Sequence, residues 1–264
     1  MRVLGPKGGA AAGVGLLLLA ACGTDNGTST GETVTLDVLA AASLTESFER
    51  LADTFEAKHP EVEVRLVLDS STTLATQVTE GAPADVLATA DERSMQMAVD
   101  AGVVGAPEVF AINQLVLVTP KDNPALITGL EDLDDPDIAY VACVETAPCG
   151  ALAATLLAGN DVTADPRSLE VDVKAVLARV TADEADAGLV YATDAFAARS
   201  DVTTWPVPGA DDALAVYPIA VAEQADQPDL AAAWVELVLS EEGQEELARA
   251  AFGPPDGSGT TWAG

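Results

Sequence analysis

Apolar and polar positions recur at a period of two in some stretches of this chain and at about 3.6 in others. Thr33–Leu39 is the first predicted strand, with Val34, Leu36 and Val38 on one face. Directly after it, Leu44, Phe48, Leu51, Ala52 and Phe55 form the stripe of an amphipathic helix. The pattern then repeats. Val62–Leu68 predicts a strand and Leu74–Thr79 a short helix; Asp85–Thr89 predicts a strand, followed by a helix through Met95 and Val99. Further strands are predicted at Leu115–Val118, Ile138–Val141 and Gly188–Tyr191, with helices over Leu152–Leu157 and Val173–Val180. Ala215–Val221 is apolar, and two last helices cover Leu230–Leu239 and Glu242–Ala250. Strands that alternate with helices imply an α/β chain whose mainly parallel sheet is covered on both faces.

Residues 1–21 stand outside this pattern. Arg2 and Lys7 precede an uncharged apolar run, Ala10–Ala21. At about 12 residues it falls short of the ~20 that span a bilayer as a helix, the layout of an export signal. Gly23–Glu32 is polar and rich in Gly, Ser and Thr, suited to a flexible tether.

Charge narrows the function classes. The 264 residues carry 43 Asp+Glu, 12 Lys+Arg and one His, a net charge of −31. That balance excludes nucleic acid as a partner. Disorder is excluded too, since 49% of the residues are hydrophobic. One His and three Cys are too few for a closed His/Cys zinc site. Without Arg2 and Lys7, ten basic residues face 43 acidic ones, a net charge of −33. Cys143 and Cys149 in an exported chain are expected to form a disulfide that staples the loop Val144–Pro148. A redox-active pair would call for C-x-x-C spacing. The acidic run Glu131–Asp137 lacks the Gly and closing Glu of a calcium loop and is expected to be a solvated turn.

Candidate chemistry gathers where strands lead into helices. Ser43, followed three residues later by Glu46, has the pattern of a capping box. The second strand runs into Asp69, Ser70 and Ser71 in the same way. Hydroxyls and backbone N–H groups at a helix start serve either as caps or as an anion site. Two such ends at the carboxyl edge of one sheet lie where open α/β folds bind ligands. Both readings stand at this point.

Six motifs occur in order: Ala40–Thr45 (AAASLT), Ser70–Ala75 (SSTTLA), Gly81–Asp85 (GAPAD), Pro148–Gly150 (PCG), Ala187–Asp194 (AGLVYATD) and Tyr217–Val221 (YPIAV). The set resembles the molybdate-binding proteins of bacterial ABC importers, within the type II periplasmic-binding-protein fold, from about Thr33 to Phe252. The resemblance implies two lobes, each a mainly parallel sheet flanked by helices, with the ligand in the interlobe cleft. Residues 33–110 and 216–264 would form the first lobe and 111–215 the second, with crossings near Phe110–Gln114 and Leu214–Tyr217. It implies capture of molybdate, and of tungstate with it, by neutral donors and without a cofactor or catalysis. Ser43 and Ser71 would each offer hydroxyl and N–H, Cys149 and Val173 backbone N–H, and Tyr191 its phenol. Plainer roles are a packed Val173, a buried aromatic Tyr191 and a Cys149 that is only half a disulfide.

The implied partners are an inner-membrane permease and its ATPase, served by a monomer. Leu19–Cys22 resembles the lipobox of bacterial lipoproteins, in which Cys22 would be acylated as the first mature residue. The protein would then sit outside the cytoplasm, anchored to the cell membrane. At a net charge of −33 the acyl chains, and not attraction to anionic lipid, would hold it there.

The chain departs from the family pattern at several positions. Asp69 stands where a small residue is common. A carboxylate there would oppose a dianion, but it could accept the proton of hydrogen phosphate; strand alternation predicts that it faces away. Cys143, Val144 and Glu145 replace Gly-Asp-Pro before the ligand turn, and Cys149 replaces an alanine. Lys174 is expected to face solvent. The rival readings are a receptor for phosphate or sulfate, a passive structural lipoprotein, and an exported hydrolase built on Ser43 or Ser71. That hydrolase would need His59, the sole histidine, which lies at a helix end away from both serines.

Overall fold

Two five-stranded sheets carry the chain, whose residues 33–258 are described in a computed structural model. The first contains β1 (Val34–Ala41), β2 (Val62–Asp69), β3 (Val86–Ala88), β4 (Glu108–Asn113) and β10 (Ala215–Val221), in the order β2-β1-β3-β10-β4. The second contains β5 (Leu115–Pro120), β6 (Tyr140–Cys143), β7 (Ser168–Glu170), β8 (Ala187–Tyr191) and β9 (Val202–Pro206), in the order β7-β6-β8-β5-β9. In each sheet one strand is reversed, β10 in the first and β5 in the second, while the other four share a direction. The sheets are therefore mixed in their pairing and mainly parallel in strand direction.

Helices α1 (Thr45–Lys58), α2 (Ser71–Thr79), α3 (Glu92–Asp100), α7 (Pro228–Leu239) and α8 (Glu241–Arg249) belong with the first sheet. Helices α4 (Pro148–Gly159), α5 (Val173–Thr181) and α6 (Ala192–Ala197) belong with the second. The chain crosses between the two lobes at Gln114, the single residue between β4 and β5, and again at Leu214 just before β10. Ala215 pairs with Asn113, so the two crossings lie side by side. β4 runs on to Asn113 within the first sheet, beyond Phe110.

The stripe read on α1 is the face buried in the first lobe. Phe48, Leu51 and Phe55 are all but inaccessible. Trp234 of α7 meets Phe48 and Phe55 edge-on, with ring centroids 5.5 and 5.6 Å apart. Burial of side chains of this size stabilises by about 2 kcal/mol each, and edge-to-face rings add to that.

Three strands were not legible as strands, and all three are sheet edges: β4, β7 and β9. An edge strand pairs on one side only and so needs less apolar sequence. β7 has just Ser168, Leu169 and Glu170, with Leu169 exposed, and β9 ends in Pro206. The acidic run Glu131–Asp137 does more than meet solvent. It overlaps a 3₁₀ turn, Leu130–Asp134, in which Asp132 accepts the Thr128 N–H and Asp134 accepts those of Thr163 and Ala164. These bonds hold both carboxyls below the usual carboxylate range. The export signal expected at residues 1–21, the lipidation expected at Cys22 and the tether expected after it all fall outside the described residues. Among the described residues no helix is long and apolar enough to cross a membrane.

The disulfide between Cys143 and Cys149 is formed, with the Cα atoms 5.8 Å apart, and ties the end of β6 to the first turn of α4. Gly150 is pressed against the loop it closes. A Cβ at this position would lie 1.9 Å from the Val144 carbonyl oxygen, which is backbone and cannot swing aside. Gly150→Ala is therefore expected to destabilise by about 1–3 kcal/mol, read as a shift in the urea midpoint at unchanged slope. Replacing both cysteines with alanine opens a loop of about seven residues and should cost roughly 2 kcal/mol on the chain-entropy model.

Candidate functional site

Five chain segments end or begin at one small cavity between the lobes. Ser43, Ser71, Cys149, Val173 and Tyr191 all line it, together with Ala41, Ala42, Ser70, Ala90 and Pro148. Each of the five sits where a strand has just given way to a helical turn. Ser43 lies in the 3₁₀ turn Ala42–Leu44 that links β1 to α1. Ser71 and Val173 are the first residues of α2 and α5, Cys149 is the second of α4, and Tyr191 is the N-cap of α6. First-turn N–H groups have no partner within their own helix, and the helix dipole places partial positive charge beside them. The cavity volume is about 20 Å³, too small for a sugar or a peptide.

The serine hydroxyls are set as donors. Ala90 N–H donates to Ser71 Oγ at 2.9 Å, so the Ser71 proton is left for the cavity. Ser43 Oγ lies 2.8 Å from the Tyr217 hydroxyl, whose oxygen is also 3.4 Å from Asn113 Nδ2. The Asn113 Nδ2 group donates to that oxygen, which leaves the Tyr217 proton available to Ser43 and the Ser43 proton available to the cavity. This corrects the capping-box reading. No side-chain cap bond forms at the 3₁₀ turn, nor at α1, whose N-cap is Leu44. Tyr191 is fully buried, and its hydroxyl has no hydrogen-bond partner. Burial pushes the Tyr191 phenol well above its ordinary pKa, so it remains an O–H donor.

None of the residues lining this cavity is basic, and two are acidic, Asp69 and Asp172. Asp172 is occupied as the N-cap of α5, accepting the Ala175 N–H at 2.8 Å. Asp69, which strand alternation predicts to face away, is among the residues that line the cavity. Strand alternation stops at Asp69, the last residue of β2, where the chain turns into α2. Its carboxylate folds back to accept the Ser70 N–H at 2.6 Å.

Lys174 also departs from expectation, since it is largely buried instead of facing solvent. Its ammonium donates to Glu46 at 2.6 and 2.8 Å and lies 3.0 Å from Asp194 Oδ1. Burial alone would lower the Lys174 pKa, but Asp194 and Glu46 outweigh it and raise the value. Asp194 is fully inaccessible, and burial lifts its carboxyl to about 6 against the pull of Lys174. On another flank of the cavity, the Thr146 carbonyl accepts Thr72 Oγ1 at 2.6 Å and Arg93 Nη2 at 2.8 Å. Thr146 is in the disulfide-closed loop, so both flanks carry bonds between the lobes.

Sequence reading missed Tyr217, Asn113, Ala90 and Asp194 as supports of the site. Tyr217 and Asp194 do lie inside two of the motifs quoted above, and Asn113 and Ala90 left no signal. His59 lies at the far end of α1, about 20 Å along the helix from Ser43. There it packs on Phe55 at 4.4 Å and faces Glu61 at 4.0 Å, and so supplies no base to either serine.

Residues 36–253 match the family described as bacterial extracellular solute-binding protein. The molybdate-binding protein ModA of Mycobacterium tuberculosis is 35% identical over 261 residues, covering 97% of this chain and 100% of that one. Among solved structures, the periplasmic molybdate-binding protein of Azotobacter vinelandii superposes with a TM-score of 0.71 at 19% identity, over 82% of this chain and 98% of that one. The sulfate-binding protein SubI of M. tuberculosis gives 0.73, also at 19% identity, over 84% and 88%. The two structures share the two-lobed fold with this chain. The chain is a solute-binding protein and not an enzyme, and it belongs to the bacterial extracellular solute-binding proteins, in the family of the molybdate-binding ModA proteins.

Proposed function

We propose that the protein captures molybdate, and tungstate with it, outside the cytoplasm and delivers it as a monomer to an inner-membrane ABC permease and its ATPase. The observation that carries this reading is the donor set. Two polarised serine hydroxyls, an unpartnered buried phenol and the first-turn N–H groups at Ser71, Cys149 and Val173 surround a cavity with no basic lining. Hydrogen bonds from neutral groups to an ion contribute about 1.5–3 kcal/mol each, and such donors need no buried cation. The 35% identity to a named molybdate-binding protein over nearly the whole chain supports the choice of ion.

A second reading, a phosphate receptor, is favoured by the place of Asp69 on the cavity wall, since a carboxylate can accept the proton of hydrogen phosphate. The Leu19–Cys22 motif supports a lipid anchor at Cys22 as the means of retention at the membrane.

Titration calorimetry with molybdate, tungstate, sulfate and phosphate separates the readings. Tight 1:1 binding of molybdate and tungstate, with sulfate and phosphate weak, is expected; tight binding of phosphate alone would make Asp69 a ligand and overturn the assignment. Ser71→Ala and Tyr191→Phe should each raise the molybdate Kd about 10- to 100-fold. Cys22→Ala should move the protein from the membrane fraction to the soluble exported fraction.

A further inference from the structure

Lys174, Glu46 and Asp194 do not line the oxyanion cavity, yet each neighbours a residue that does. Glu46 follows Ser43 by three positions, Lys174 follows Val173 directly, and Asp194 follows Tyr191 by three. Two of the charges, Lys174 and Asp194, belong to the second lobe, and Glu46 belongs to the first. The Asp194 side chain is 0% exposed, and among the described residues its only cationic partner is Lys174, 3.0 Å away. A buried carboxylate cannot give up such a partner cheaply, so Lys174 stays with the second lobe whatever the lobes do. The Glu46 side chain is 39% exposed and reaches Lys174 across the interlobe gap. The ammonium thus has one permanent partner and one conditional partner.

Resting on the proposed oxyanion reading, we infer that Lys174 is a positioning residue that couples anion capture to lobe closure. Closure brings Glu46 to an ammonium already held in place by Asp194. That bond forms only when the Ser43 and Ser71 donors of the first lobe meet the Cys149, Val173 and Tyr191 donors of the second. Free energy gained only in the closed state lowers the fraction of time the cleft stands open, and the apparent affinity rises accordingly. Lys174 also offsets two carboxylates close to a bound dianion. The two effects differ in sign at Glu46: loss of its charge weakens binding if the clasp matters, and tightens it if Lys174 only neutralises.

Glu46→Gln decides between them, with Glu49→Gln as the control. Glu49 is an exposed residue of the same helix, and its change removes the same charge without touching Lys174. The readouts are the molybdate Kd by calorimetry and lobe separation by small-angle X-ray scattering, with and without molybdate. Glu46→Gln is expected to raise the Kd about tenfold and to expand the ligand-free protein, while Glu49→Gln does neither. Lys174→Arg should keep most of the affinity; Lys174→Met should lose it, with no further loss on adding Glu46→Gln. Binding by Glu46→Gln as tight as that of the unaltered protein, or tighter, would overturn the inference. If Lys174→Met fails to fold because Asp194 is left unpaired, Glu46→Gln alone still decides. If the unaltered protein takes up no oxyanion, the functional reading fails instead. The clasp then stands or falls on whether Glu46→Gln changes the scattering of the ligand-free protein.

Discussion

The first-turn N–H groups of a helix have no partner within that helix, and this fold lays several such starts against one point. The groups must be met by caps, by solvent or by a ligand. In this chain β1, β2, β6 and β8 lead into helical turns whose first residues share a cavity wall. Some starts are capped in the ordinary way, as Asp172 caps α5 and Asp91 caps α3. Others are not: the 3₁₀ turn at Ser43, α2, α4 and α6 have no side-chain cap bond. The proposed oxyanion would take the place of those caps. Much of the remaining arrangement serves to keep the donors aimed, including the Asn113–Tyr217–Ser43 relay and the Ala90 bond to Ser71.

Charge works on two length scales here. A net charge of −31 should repel an anion, yet charges beyond about 8 Å are largely screened at physiological salt. Within that distance, partial charges and hydroxyl dipoles decide. Fold alone does not select the ion. Structural neighbours named for molybdate and for sulfate superpose on this chain equally well. Selectivity has to come from the cavity itself.

The disulfide has a larger part than a staple. It closes the loop whose Thr146 carbonyl receives Thr72 and Arg93 from the first lobe, and whose end presents Cys149 to the cavity. Loop and site are thus one piece of structure, tightened further by Gly150 against Val144. The Lys174 cluster binds the lobes on another flank, and the crossings at Gln114 and Leu214 join them through the chain itself.

Much of this protein could be read from its sequence, because periodicity records which face of an element is buried. The α1 stripe of Phe48, Leu51 and Phe55, the strand before Ser43 and the strand before Ser71 are properties of single elements. So are the residue types able to donate at a helix start, and the nearness of Cys143 to Cys149. Edge strands such as β7 and β9 escaped because a strand paired on one side leaves a weak pattern. Tertiary structure decided the partner of every polar side chain that mattered. Ser43 gave up the expected cap for Tyr217, and Lys174 was set between Asp194 and Glu46. A hydroxyl, a carboxylate or an ammonium bonds to whatever the opposing element brings within about 3 Å, and that element lies far away in sequence.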